Sequence, residues 1–382
     1  MIYFTESQKR FQTFVHDFAH NELLQGAQER AKLDHTTEEV LQKLAGAGLF
    51  SLTTPVKYGG SPRDCVSIGI AFEEVCSIDF SAFSFMLSHV LIPLMMEWAD
   101  GHLRDEWLPI MGKAKKLVCF ANTEPDCGSD ASAIKMSAVR EGDSYVINGE
   151  KTSISGGMQA DAVLVTTKTD PEAGAKGVTC FFVPFSLPGI SRSRFQDMGG
   201  IPSGRASITF SDVIIPVSYR IGREGEGFIK VMRSFDFARV LVILAGVGMA
   251  KQTLSEAIEY IKNRPAFGGP ISRFEGVSFK LAEAATLIEA TRLLCYQALK
   301  LRDENLPHTK EVAMAKWYGG TCVSSSIHEL LLLFGWRGYS EKLPIEQRLR
   351  DVIGLRIGDG TGEIMKLIIA REILGSRFRP VI

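Results

Sequence analysis

Cysteine pairs at metal-binding spacing are missing from this sequence. Its seven cysteines, at 65, 76, 119, 127, 180, 295 and 322, are odd in number and include no CxxC. That argues against a disulfide framework and against a zinc site, and fits a reducing, cytoplasmic compartment. Charge imbalance is missing too. The 43 Lys and Arg against 44 Asp and Glu give a net charge of −1, so nothing pulls the chain electrostatically toward nucleic acid or an anionic membrane. Apolar runs stay short. The stretch from Val240 to Ala250 is too brief and too rich in Gly and Ala to span a bilayer. The opening MIYFTESQKRFQTF has no cationic leader before an apolar run, so no signal peptide is expected. The histidines are scattered, no metal site is expected, and no Ser/His/Asp or Cys/His nucleophile pattern stands out.

What is present is a change of periodicity along 382 residues, a length that allows two or three domains. Helical spacing runs through the first 118 residues. Thr5 reads as an N-cap, Phe11, Phe14, Val15 and Phe18 as a core stripe, and Thr37 to Ala45 as a second capped helix. Val66 to Ile78 and Phe80 to Trp98 continue the pattern. From 119 to 222 the runs shorten. Tyr145–Gly149, Ala162–Lys168, Val178–Val183 and Ala206–Ile214 are rich in Val, Ile, Thr and Phe and bounded by turn residues. They predict a compact antiparallel β domain. Helices resume over 223–382, at Phe228–Asn263, Phe274–Glu304, Thr309–Phe334 and Gly362–Leu374. The expected class is α+β: an N-terminal α domain (1–118), a middle β domain (119–222) and a C-terminal helical bundle (223–382).

Five segments can carry chemistry, and each has a plain structural reading beside the functional one. Phe120 to Asp130 is either a polar inter-domain loop or a set of hydroxyls and backbone N–H groups facing a polar ligand. Ser153 and Ser155 alternate with Ile154 and face either a ligand or solvent. Arg264, ahead of Pro265-Ala266-Phe267-Gly268-Gly269, either grips a phosphate or closes a helix C-terminus. Phe334 to Tyr339 is a Gly-punctuated helix end, read as a C-cap and loop. In Ile357-Gly358-Asp359-Gly360-Thr361-Gly362-Glu363, three glycines surround one carboxylate before an apolar helix. Backbone lacking side chains can approach a ligand there, while Asp359 can equally serve as an N-cap.

Taken together, in this order and at these separations, the segments resemble the acyl-CoA dehydrogenase family. The resemblance extends from the N-terminal helices to Ala370-Arg371-Glu372-Ile373-Leu374-Gly375. It implies a homotetramer with a C-terminal four-helix bundle, and FAD bound between domains and across a subunit contact. By motif position Phe120, Asn122, Thr123, Ser129, Ser153 and Ser155 would line the flavin. Arg264 and Phe267 would hold the pyrophosphate and adenosine end. Leu332 stands just before the Gly-rich turn and Gly335 within it, and Thr361 and Glu363 complete the cofactor set. Ser129, Asp236, Arg239 and Gly360 would meet the CoA thioester arm. The chain departs from the family in places. Ser153 stands for a usual Trp, Ser155 for Thr, Ala266 for a polar residue, Leu332 for Gln and Trp336 for Gly.

The implied reaction removes an α-proton from a thioester and passes hydride from the β-carbon to flavin N5, with the protein supplying position and field. Family members stabilise the enolate oxygen with preorganised donors, each often worth about 3–4 kcal/mol. The family's usual base is Glu in Glu-Gly-Thr; here the motif is Asp359-Gly360-Thr361. The missing methylene withdraws the oxygen by roughly 1–1.5 Å, a displacement that can cost on the order of 100-fold unless backbone or substrate moves in. Some relatives carry their base on the long helix, at the position occupied here by Ala238, which cannot accept a proton. The Asp-Gly-Thr variant is most similar to dehydrogenases of cyclic or α-branched acyl-CoAs, such as cyclohexanecarboxyl-CoA. The apolar helix with Met86, His89, Val90, Pro93 and Met96 either borders the acyl group or packs in the core. The resemblance further implies an electron-transferring flavoprotein as electron acceptor. The rival readings are a dehydrogenase of carrier-protein-bound acyl groups, a flavin-binding relative without this activity, and a flavin monooxygenase.

Overall fold

A computed structural model describes residues 4–375; the ends of the first and last expected domains, 1–3 and 376–382, lie outside it. Six α-helices come first: α1 (Glu6–Phe18), α2 (Ala27–Arg30), α3 (Glu38–Gly46), α4 (Cys65–Ile78), α5 (Phe83–Met96) and α6 (Gly101–Gly112). Thr5 starts α1 through a capping box with Gln8, and Thr37 caps α3, as the sequence predicts. Phe11 and Val15 are buried, but Phe14 is exposed and belongs to the outer face. Helix α4 is apolar nearly all round because it lies between long helices of the C-terminal bundle.

The sheet follows as β1 (Val118–Ala121), β2 (Ser137–Glu141), β3 (Ser144–Ile154), β4 (Ala162–Lys168), β5 (Val178–Pro184), β6 (Ile190–Arg194), β7 (Ala206–Pro216) and β8 (Arg220–Ile221). The path runs β6-β7-β3-β2-β4-β5-β8, with β1 joined to β4. Most pairs are antiparallel, as expected. The exceptions are β1 with β4 and the single register point Ser137–Lys168 between β2 and β4, both parallel. The chain between β1 and β4 contains the whole β2–β3 hairpin, long enough for a parallel return. Strands β4 and β5 are buried on both faces. Leu164 and Phe182 pack with α5 and α6, where the Trp107 and Phe182 rings meet edge-on at 4.7 Å. Val163, Val165, Phe181 and Val183 pack into the main core. This is why β4 opens with four consecutive apolar residues, Ala162 to Val165, rather than alternating.

The remaining helices are α7 (Gly227–Asn263), α8 (Glu275–Asp303), α9 (Thr309–Leu333), α10 (Trp336–Tyr339), α11 (Ile345–Gly354) and α12 (Gly362–Leu374). A short hairpin, β9 (Pro265–Ala266) with β10 (Gly269–Pro270), joins α7 to α8. Helices α7, α8 and α9 pack on one another, and α12 lies on α9. Gly248 on α7 meets α4 so closely that a Cβ would stand 2.1 Å from the Glu73 carbonyl oxygen. Polar ties fix the same junction. Buried Glu73 accepts from Arg292 Nε at 2.8 Å and from the Tyr296 hydroxyl at 2.7 Å, and Lys251 reaches it as well. The Asp303 carboxylate accepts from the Cys65 and Val66 N–H groups at 2.7 and 3.1 Å, closing the open end of α4.

Candidate active site

Asp359 sits in the turn between α11 and α12, and two cations hold that turn from below. Lys316 Nζ on α9 donates to the Leu355 carbonyl at 2.6 Å. Arg239 Nε on α7 donates to the Asp359 carbonyl at 2.9 Å, while its Nη1 meets Asp236 Oδ1 at 2.8 Å. Thr309 fixes the other Asp236 oxygen at 3.1 Å. Asp359 itself is in the left-handed region, at φ 56°, and Gly360 follows at φ 104°. A Cβ on Gly360 would lie 2.7 Å from Met365 Cε, so the glycine permits the close turn.

The N-cap of α12 is Thr361, whose hydroxyl accepts from the Ile364 N–H at 3.4 Å. Asp359 is therefore not the cap that its place before the helix allows. The helix begins two residues later, and the carboxylate takes no hydrogen bond from a side chain or N–H among the described residues. Burial raises the Asp359 pKa above the ordinary carboxylate value, against the opposing pull of Lys316 and Arg239. Burial also brings Lys316 down to about 8, although Asp359 pulls it upward.

The β-domain segments form a second group. Lys151 on β3 is fully buried and bridges Glu124 Oε1 at 2.8 Å and the Asn122 carbonyl at 2.9 Å. Glu124 in turn accepts from the Lys135 and Met136 N–H groups at 2.6 and 3.0 Å. The Asn122 side chain accepts from Thr166 at 2.7 Å, and the Thr123 carbonyl accepts from the Thr152 N–H at 2.8 Å. This network welds the Phe120–Ser129 segment to β3 and sets Ser129, Ser153 and Ser155 at the surface. Ser153 takes φ 61° at a bulge of β3, and Arg205, paired with Asp197, donates to its hydroxyl at 2.9 Å. Phe120 meets Phe235 edge-on at 5.7 Å, linking this group to the helix carrying Asp236 and Arg239.

Arg264, Phe267, Leu332 and Gly335 lie elsewhere. Arg264 ends α7, Phe267 tips the β9–β10 hairpin at φ 49° and is 89% exposed, and Leu332 and Gly335 close α9. Some 25 helical residues separate Arg264 from Arg239, which is about 37 Å of helix. One copy of the chain thus presents the expected site residues in two separate sets. Met86, Val90, Pro93 and Met96 of α5 are packed in the core, and the His89 imidazole is buried with them.

The sequence reading passed over Lys316, Lys151, Glu124 and Arg205. Lys316 had a usable signal: it shares the helical spacing of Val312, Gly319, Gly320 and Val323, all buried. A lysine on a core stripe needs a partner or a task. Arg205 had no such signal, since its contact with Ser153 joins β7 to a bulge in β3.

A cavity of about 350 Å³ opens beside the Asp359 turn, lined by Lys316, Trp317, Arg356, Thr361 and Lys366 among others. Three cations against one carboxylate, Glu363, which pairs with Lys366, together with the Thr321 and Thr361 hydroxyls and the N–H groups of the first turn of α12, suit an anionic, hydrogen-bonding cofactor. Comparison with known proteins gives the cofactor a family. The N-terminal, middle and C-terminal domains of acyl-CoA dehydrogenase match residues 5–115, 119–213 and 225–374. The chain belongs to the acyl-CoA dehydrogenase family. It is an FAD-dependent oxidoreductase of acyl-CoA thioesters. It is 32% identical over 375 residues to the mitochondrial short-chain specific acyl-CoA dehydrogenase of Rattus norvegicus, covering 97% of this chain and 91% of the relative. It is 32% identical over 378 residues to the caffeyl-CoA reductase-Etf complex subunit CarC of Acetobacterium woodii, with 98% and 100% covered. Among solved structures, butyryl-CoA dehydrogenase from Megasphaera elsdenii superposes with a TM-score of 0.93 at 30% identity, with 98% and 100% covered. Within this acyl-CoA dehydrogenase no described helix is long and apolar enough to cross a membrane.

Proposed function

We propose that Asp359 is the base that takes the α-proton from the acyl-CoA thioester. The observation that carries this reading is a carboxylate on a strained turn between two glycines, anchored through the residue's own carbonyl and without a hydrogen-bond or salt-bridge partner among the described residues. Strain kept in place by surrounding structure marks functional positions. Bound substrate would cover the half-open side of Asp359 and raise its basicity further. Ala238, one residue before Arg239, is buried and offers no competing base. Arg239 and Asp236 keep the base in register, and Ser129 and Gly360 meet the thioester arm. FAD supplies the hydride acceptor. Phe120, Asn122, Thr123, Ser129, Ser153, Ser155, Thr361 and Glu363 of one copy hold the flavin side. Arg264, Phe267, Leu332 and Gly335 of a second copy hold the adenosine end, because a single chain keeps the two sets too far apart. A homotetramer built from such pairs completes every site.

The short carboxylate favours a substrate whose α-carbon lies close to the turn, as in a cyclic or α-branched acyl-CoA. Electron-transferring flavoprotein is the electron partner, a reading supported by the relative from an Etf complex. The test is anaerobic titration of the purified yellow protein with a panel of acyl-CoA esters, alongside the same acyl groups on a carrier protein. Cyclic or branched CoA esters should bleach the flavin fastest, and Asp359→Ala should retain the flavin yet fail to bleach. Normal bleaching by Asp359→Ala would remove Asp359 from the mechanism, and faster bleaching by carrier-bound esters would replace the substrate class.

A further inference from the structure

We infer that Lys316 is a positioning residue for the reaction: its buried ammonium anchors the Leu355 carbonyl at the foot of the Asp359 turn and supplies positive charge beside that turn. The inference rests on the reading of Asp359 as the base. Lys316 is 2% exposed on the face of α9 that otherwise packs as Ala, Gly and Val. An ammonium there is costly unless it has a task. Its hydrogen bond goes to Leu355 O at 2.6 Å, where α11 ends and the turn begins. Arg239 grips the other end of the same turn at Asp359 O. The base thus hangs between two anchors four residues apart, each driven from a different long helix.

The charged groups on the elements around Asp359 are Arg239 with its partner Asp236 on α7, Lys316 on α9, Arg356 just before the turn, and Glu363 paired with Lys366 on α12. Arg239 is shared with Asp236, which spends part of its charge. Lys316 has no carboxylate partner at salt-bridge distance among the described residues, so Asp359 is the anion it serves. The two groups act on each other in opposite directions: Lys316 favours ionised Asp359, and Asp359 favours protonated Lys316. Burial works against both charges. Lys316 thereby offsets part of the upward push that burial gives the pKa of the base.

The test compares Lys316→Met, Lys316→Gln and Lys316→Arg with Asp359→Asn in the flavin-loaded protein. The readouts are kcat and KM separately, the pH profile of kcat/KM, and flavin content. Ionised Asp359 is the active form, so activity falls as pH drops through its pKa. Removing the lysine charge raises that pKa and moves the acid limb upward by about one unit or more. Lys316→Met should show this shift together with a kcat at least tenfold lower at the plateau and little change in KM, because the turn has lost an anchor. Lys316→Gln keeps a donor for Leu355 and should show the shift with a smaller loss of kcat. Lys316→Arg should return the limb toward the wild-type position. If Asp359→Asn is inactive while the acid limbs of the Met and Gln variants coincide with wild type, the role of Lys316 is refuted and the base stands. If Lys316→Met fails to fold, the limb of Lys316→Gln decides alone. An active Asp359→Asn removes the base and this inference with it.

Discussion

Asp359 holds its carboxylate in a turn pinned at both ends, and substituting the longer homologue tests how much room the site leaves. Asp359→Glu pushes the oxygens forward by about 1–1.5 Å. In a turn pinned at Leu355 and Asp359, the extra methylene crowds the α-carbon, and kcat for the protein's own substrate should fall by tenfold or more. Single-turnover flavin reduction measures it; an unchanged or faster rate would show that the turn has room to spare. The presence of a carboxylate among Gly358, Gly360 and Gly362 was legible in the sequence, but its release from helix capping was not. Asp359 and Thr361 both stand before the same apolar helix, and only the backbone decides that Thr361 takes the cap. Strain was equally invisible. Of six non-glycine residues at positive φ among the described residues, Ser153, Phe267 and Asp359 coincide with the site inferred from resemblance. Side-chain chemistry does not announce such dihedrals, because tertiary contacts impose them.

Helices announced themselves where their stripes were long. α7, α8, α9 and α12 start and end within a residue or two of the periodic runs. α6, with Pro109 inside it, and the polar strands β2 and β6 did not, because a half-exposed SAVRE or ISRSR carries little apolar alternation. The two glycines of α7 do different work. A methyl group on Gly248 would strike the α4 backbone, whereas one on Gly246 would meet side-chain methyls of Val323 and Leu355 at 3.0 and 3.1 Å. Gly248→Ala should therefore cost on the order of 2 kcal/mol or more, and Gly246→Ala clearly less; urea melts of both variants compare them, and equal midpoints would contradict the close α4–α7 approach. A separate latch ties the β domain to α11. Asp351 on α11 accepts from the Gly200 N–H at 2.7 Å and from Gln347, and burial pushes its pKa up to about 7. Between the ordinary aspartate value of 3.8 and about 7 the folded protein retains a proton that the unfolded chain has lost. This group's contribution to stability thus declines as pH rises through that window. Asp351→Asn should flatten the fall in melting temperature between pH 5 and pH 8 relative to wild type. An identical slope in both proteins would mean that Asp351 is ionised in the fold throughout.

On the proposed reading no single copy of the chain holds a whole cofactor site, and the last prediction tests this. The Asp359 turn and the Arg264–Phe267 hairpin mark opposite stretches of α7. Phe267, Leu332, Trp336 and Tyr339 leave large apolar surface exposed around the hairpin and the end of α9, and such surface asks for a partner. If each flavin is held by Asp359's chain on one side and by Arg264 of a second chain on the other, defects on the two sides complement. Arg264→Glu alone should lower flavin content by setting a carboxylate against the cofactor phosphates. Asp359→Asn alone should keep its flavin and lose turnover. Co-expressed in equal amounts with random pairing, the two variants regenerate intact sites, because the Arg264→Glu chain still carries Asp359 and the Asp359→Asn chain still carries Arg264. In a two-fold pair about one quarter of all sites are then restored. Activity near that fraction in the mixed protein, with almost none in either parent, would place the two sets of residues on different chains. A mixed protein no more active than its parents would return the whole site to one copy, and the two exposed sets would need separate explanations.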